Sequence, residues 1–229
     1  MESVAAVEEV KALLRRRIRA ERARRHADER ERVALGLRDS AMRSPAMATA
    51  RVVTCFLSAP TEPGTAPLRL ALERAGVRVL LPVVAEHGGQ RGLDWAVDDG
   101  TSRPGAYLGL PEPTGPRLGP RAIATADLVL VPALAVDTTG ARLGQGGGFY
   151  DRALAMVREG AVVVAVIHDE ELLDAAVEQV PVLAHDRHVD AVLTPSRWVT
   201  IPTTSPVTSP GPSVPGPASS SPPSPPPRG

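Results

Sequence analysis

Two apolar runs, "DLVLVPA" (127–133) and "AVVVAVI" (161–167), constrain this chain more than any other feature. A strand with one face in water alternates apolar and polar residues. A run without alternation suits a strand buried on both faces, as in a parallel sheet covered by helices. Helical and strand patterns alternate around these runs. Val7, Val10, Leu14 and Ile18 recur at helical spacing and open a long basic helix that breaks and continues towards Leu37. "RVVTCFL" (51–57) and "VRVLLPVV" (77–84) read as strands on either side of a helix "APLRLALERAG" (66–76) stopped by Gly76. "GLDWAV" (92–97) reads as a shorter, half-buried strand, and "YDRALAMVREG" as a helix ending at Gly160. Asp169 is expected to N-cap a helix "EELLDAAVEQ" (170–179), with "VDAVLT" (189–194) as the last strand. The pattern predicts an α/β fold: a mostly parallel central sheet flanked by helices, with a long N-terminal helical segment.

At Ile201 the composition shifts to Pro, Ser and Gly with almost no apolar side chains. Such a segment cannot offset its ordering entropy by burial, so residues 1–200 read as a single domain and 201–229 as a disordered tail. Zero formal net charge gives no global field towards nucleic acid or an anionic membrane, so any anion must be caught by a local cluster. Cys55 is the only cysteine, which rules out an internal disulfide and suits a reducing compartment. No apolar run approaches the ~20 residues of a membrane span, and the charged N-terminus lacks a signal-peptide core. A cytoplasmic protein, monomeric and without membrane or nucleic-acid partners, is expected. Lysine occurs once among the 26 basic residues, at Lys11.

The stretch "ARLGQGGGFYDR" (141–152) is the least ordinary. It is not a dinucleotide fingerprint, because Phe149 stands where a glycine is needed, nor a P-loop, because it has no lysine. It still has anion-binding chemistry. Gly144, Gly146, Gly147 and Gly148 let backbone N–H groups approach phosphate oxygens, and a helix starting near Tyr150 adds its positive end. Arg142 supplies a cation at the loop entrance. Asp151 would repel phosphate unless Mg²⁺ sat between them, and Mg²⁺ is commonly held by one or two carboxylates with phosphate oxygens.

The motif "RLGQGGGFYDR" resembles the signature of the 5-formyltetrahydrofolate cyclo-ligase family. "KALLR" (11–15), "SAPTEP" (58–63), "GLPEP" (109–113), "VPALAVDTTGARLG" (131–144) and "QVPVLAHDRHVDAVLT" (179–194) fall in the family's order. The resemblance covers about 1 to 195 and leaves out the tail. It implies an enzyme that uses ATP and Mg²⁺ to convert 5-formyltetrahydrofolate to 5,10-methenyltetrahydrofolate, releasing ADP and phosphate. Such chemistry asks mainly for positioning and charge neutralisation.

Residue by residue, the resemblance places Lys11, Arg15 and Arg142 at the ATP phosphates as catalytic cations. From helical periodicity alone, Lys11 and Arg15 fit a solvated basic face as well. Gly144, Gln145, Gly146, Gly147, Gly148, Phe149 and Tyr150 would complete the ATP site. Glu62 would bind the pterin, since a carboxylate accepts two N–H bonds from an aminopyrimidinone edge. Gly147, Gly148 and Tyr150 would also face the folate. Leu108 holds the position of the family's aromatic residue over the pterin, with Tyr107 beside it, so either covers the ring. Gln145 replaces a bulkier residue of the loop. Asp151 and Asp186 match carboxylates associated with Mg²⁺. A zinc site at His185, Asp186 and His188 lacks sufficient ligands. Two other functions stand beside this one: a family relative activating a different formyl or acyl compound, and a non-catalytic nucleic-acid-binding protein using the arginine-rich helix.

Overall fold

A computed structural model describes residues 4–105, 107, 109–183 and 186–202. The elements run α1 (Val4–Ala23), α2 (Ala27–Met42), α3 (Pro45–Thr49), β1 (Val52–Thr54), α4 (Ala66–Arg74), β2 (Arg78–His87), β3 (Gln90–Val97), β4 (Ser102–Pro104) and β5 (Pro111–Pro113). A 3₁₀ turn (Pro120–Thr125) then leads to β6 (Leu128–Pro132), β7 (Ala135–Asp137), β8 (Arg142–Leu143), α5 (Phe149–Leu154) and β9 (Val162–Val166). A second 3₁₀ turn (Asp169–Glu171) precedes β10 (Leu172–Leu173), β11 (Ala191–Leu193) and β12 (Trp198–Thr200). No helix among the described residues is long and apolar enough to cross a membrane.

The main sheet has the order β12-β11-β9-β6-β1-β2-β3. Its five inner strands are parallel, and β3 and β12 close the two edges antiparallel. The two apolar runs became β6 and β9, paired in register with Leu130 opposite Val164. Their alternate residues face opposite layers. Leu128, Leu130, Val164 and Val166 pack with Leu37 and Ala41 of α2, Met47 of α3, and Leu68 and Leu72 of α4. Val129, Val131, Val163 and Ala165 pack instead with Ile123 of the first 3₁₀ turn, Ala153 and Leu154 of α5, and Trp95 of β3. A third, smaller cluster joins Leu14 and Ile18 of α1 to Leu134, Ala135, Leu143 and Val180. It lies over the small sheet β10-β7-β8.

Several elements depart from the sequence expectations, each for a tertiary reason. Residues 170–179 are not a helix. Asp169 does not cap one, since its carboxylate accepts the hydroxyls of Thr194 and Ser196. Glu171 turns inward to an arginine of α1, and Leu172–Leu173 pair with Val136–Asp137. The helix after the glycine loop stops at Leu154, six residues before Gly160, and the chain turns so that Arg158 reaches the Ala126 carbonyl and Asp127. "GLDWAV" is the core of a longer strand, joined to β2 by Gly88 and Gly89 at positive φ, a glycine pair suited to a tight hairpin. "VDAVLT" is followed by one more strand, β12, and Ile201, where the composition shifts, is buried with its N–H on the Asp190 carbonyl.

Candidate active site

The sheet order places the site before any side chain is considered. From β1 the next strand, β2, lies on one side, while β6 lies on the other. Ligands in open α/β sheets bind at the carboxyl ends of strands where the order reverses in this way. Here those ends lead into residues 55–65, which carry Glu62, and into 133–148, which carry Arg142 and the glycine loop.

Arg142 is positioned by a tight turn before it. The buried carboxylate of Asp137 accepts the Thr139 N–H at 2.9 Å, the Thr139 hydroxyl at 2.5 Å and the Ala141 N–H at 3.2 Å. Its other oxygen takes the Val180 N–H at 2.9 Å. Gly140 completes the turn at φ +85°, where a Cβ would stand 2.6 Å from the Val189 carbonyl oxygen. Only glycine satisfies both the left-handed backbone and the close approach. Arg142 emerges buried and pairs with Asp151 on the first turn of α5.

The glycine loop rests on α1. Arg15 Nε donates to the Gly144 carbonyl at 3.0 Å, and the guanidinium lies 3.5 Å from where a Gly146 Cβ would be. Arg19 donates to the Gln145 side chain at 2.8 Å. Lys11 is only 4% exposed and donates to Asp186 Oδ2 at 2.5 Å, while that same oxygen accepts the Leu183 N–H at 2.7 Å. Each of two cations singled out in the sequence therefore faces one of the two carboxylates singled out with them. Among the described residues the N–H groups of Gly146, Gly147 and Gly148 have no backbone acceptor. The short α5 offers less dipole than a full helix, so an anion here would be drawn mainly by the loop amides and the arginines.

Glu62 accepts the Ala59 N–H at 2.9 Å. Burial pushes its carboxyl above the usual range, against the pull of Ala59, Arg22 and the Gln145 amide. Tyr150 comes close enough for burial and the Glu62 charge to raise its phenol well above the ordinary value, so it stays a donor. Cys55, beside it, is held at about 11 by burial and is inert as a nucleophile. The Tyr150 hydroxyl and Arg142 Nε are buried without a partner among the described residues, which marks a place where a ligand would satisfy them. Tyr107 meets Phe149 edge to face at 5.2 Å. Leu108 lies outside the described residues, so the choice between it and Tyr107 is untouched.

A family model described as the 5-formyltetrahydrofolate cyclo-ligase family matches residues 7–195. The chain belongs to this family. It is 43% identical to the 5-formyltetrahydrofolate cyclo-ligase of Mycolicibacterium smegmatis, over 65% of this chain and 76% of that one. Against the cyclo-ligase of Escherichia coli K12 the identity is 34%, over 68% and 84%. The fold resembles that of the Aquifex aeolicus 5,10-methenyltetrahydrofolate synthetase, with a TM-score of 0.69 at 24% identity, covering 84% of this chain and 93% of that one. Membership makes the chain an ATP-dependent ligase of folate one-carbon metabolism.

The sequence also concealed a buried polar cluster on α1. Arg22 donates to both Glu171 oxygens at 2.7 Å and to the Ala133 carbonyl at 2.6 Å. His168, two residues past β9, is 2% exposed, with the Thr61 backbone beside its ring. Burial, then Arg25 and Arg22, depress its pKa to about 3. One signal in the sequence points to Arg22: it lies four residues after Ile18, on the helix's apolar stripe.

No three His, Cys, Asp or Glu side chains gather into a metal-ion cage among the described residues. Magnesium needs none here, because one or two carboxylates with phosphate oxygens suffice. Asp151, partly exposed beside the loop amides, fits that role.

Proposed function

We propose that this chain uses MgATP to close 5-formyltetrahydrofolate to 5,10-methenyltetrahydrofolate, releasing ADP and phosphate. The observation that carries the reading is the pairing of Arg142 with Asp151 and of Lys11 with Asp186. A triphosphate with a divalent cation offers charges of both signs, so it can replace these partners without leaving any buried charge alone.

In this reading the formyl oxygen attacks the γ-phosphorus, the bond to ADP breaks, and an imidate phosphate forms on N5. N10 then attacks the activated carbon, its proton leaves, and expulsion of phosphate completes the five-membered ring. Lys11, Arg15 and Arg142 hold the phosphates and stabilise the charge that builds on the transferred group, while the loop amides fix its orientation. Asp151 and Asp186 would hold magnesium, which supplies positive charge at the phosphates. Glu62 grips the pterin, and the Tyr150 phenol, kept protonated, donates towards the substrate. The protein works as a cytoplasmic monomer, with neither nucleic acid nor membrane as a partner.

The test is incubation with 5-formyltetrahydrofolate and MgATP, following the near-UV absorbance of the methenyl product and the release of ADP. Product is expected only with both substrates present. Asp151→Asn and Lys11→Gln should each lower kcat by roughly ten- to a hundredfold, the loss of one charge-assisted contact of ~1.5–3 kcal/mol. Absence of product with the wild-type chain overturns the assignment.

A further inference from the structure

Of the cations around the glycine loop, Arg19 is held by the Gln145 side chain, and the others fall into two groups. Lys11, Arg15, Arg22 and Arg142 each have a carboxylate within ion-pair distance: Asp186, Glu8, Glu171 and Asp151. Arg91 and Arg152 have no such carboxylate among the described residues. They line a cavity of about 360 Å³ together with Gln90, Tyr107, Gly147 and Phe149, within the size range of small-molecule sites. Arg15 sits against Gly146, whereas Arg152 sits against Gly148, so the loop separates the two groups.

The cavity is built rather than accidental. Arg152 donates to the Arg91 carbonyl at 2.9 Å, tying β3 to α5. Each guanidinium lies over a ring, Arg91 at 5.6 Å from the Tyr107 centroid and Arg152 at 5.4 Å from that of Phe149. Those contacts hold the arginines in place, and a guanidinium's five N–H donors exceed the one Arg152 spends on Arg91, leaving donors for carboxylates. Two aromatic rings beside two unpaired guanidiniums suit a ligand with a flat conjugated body and a carboxylate end. A nucleotide fits less well, because its phosphates already have the other cation group and its base carries no anion.

We infer that Arg91 and Arg152 bind the carboxylates of the substrate's benzoylglutamate tail and set the preference for an acidic tail. The inference rests on the folate reading above. Phe149 and Tyr150 are consecutive on the first turn of α5, so one turn faces both ends of the substrate. Tyr150 faces Glu62, and Phe149 faces the arginines.

The test compares equilibrium binding of 5-formyltetrahydrofolate with that of its glutamate diethyl ester, which has the same body without the charges. Wild type should prefer the diacid by about tenfold or more, the loss expected when charge-assisted hydrogen bonds are removed. Arg91→Gln and Arg152→Gln should each erase most of that preference, raise KM for the folate, and leave kcat and ATP affinity within about twofold. Unchanged thermal midpoints separate this from misfolding. A wild type indifferent to the ester overturns the inference, as does an Arg91→Gln chain that keeps the preference. An equal loss of ATP affinity would reassign the cavity to the nucleotide. A chain that prefers the diacid but forms no methenyl product would sink the catalytic reading alone.

Discussion

His168 carries an imidazole that the fold keeps neutral. Its folded pKa of about 3 lies below the ordinary 6.5, so between those values the unfolded chain binds a proton that the folded chain refuses. Stability from this group is complete above pH 6.5 and is lost as pH falls, by about 1.4 kcal/mol per unit of pH. Chemical denaturation of wild type and His168→Phe at pH 6, 5 and 4 should show a flatter slope for the variant. Parallel slopes would mean that water or a counter-charge reaches the ring. Nothing in "AVVVAVIHDEE" betrays this histidine, because its isolation comes from residues far away in sequence. Lys11 was more legible. Val7, Lys11, Leu14, Ile18 and Arg22 form the buried stripe of α1, while Val10, which fits the apolar spacing, is 49% exposed. A lone lysine in a chain of arginines, on a stripe otherwise apolar, is a sequence signal that burial explains. Arg22 sent the same signal, masked by the arginines around it.

At the scale of elements, the strands were legible and the segment after β9 was not. β6 and β9 announce themselves because both faces are apolar, and no partner choice changes that. Residues 170–179 have good helical composition, but Arg22 needs Glu171, and a buried guanidinium outweighs a few tenths of a kcal/mol per residue of propensity. The glycine motif was legible as a candidate anion site, yet Arg91 was invisible, since only the β2–β3 hairpin carries it to the loop. The tether of α1 can be measured. Glu171→Ala strips the bidentate partner from a buried cation and should cost about 3–5 kcal/mol in urea unfolding. It should also weaken ATP binding, because α1 carries Lys11 and Arg15. A cost below ~1 kcal/mol would show that solvent replaces the carboxylate.

For the whole molecule, the composition shift at Ile201 puts the expected domain edge at residue 200, and Ile201 itself is buried. A chain ending at Pro202 should match the full chain in activity and thermal midpoint, since residues 203–229 offer little apolar surface to bury. Ending at Thr200 removes Ile201, which packs 7% exposed among Val189, Val192 and Ala165, and should cost about 1.5–3 kcal/mol. Equal midpoints for the two truncations would remove Ile201 from the core. A marked loss on ending at Pro202 would mean that the tail docks.

The ion pair of Lys11 with Asp186 spans 175 positions of sequence. A ribosome adding about 5–20 residues per second needs roughly 10–35 s to deliver the second partner after the first. Until residues 133–143 emerge, the apolar stripe of α1 lacks its packing partners, and Lys11 lacks Asp186 for longer still. Lys11 meets Asp186 only after β9 and the residues beyond it have emerged. A chain ended before residue 186 thus lacks this pairing, however complete the glycine loop before it.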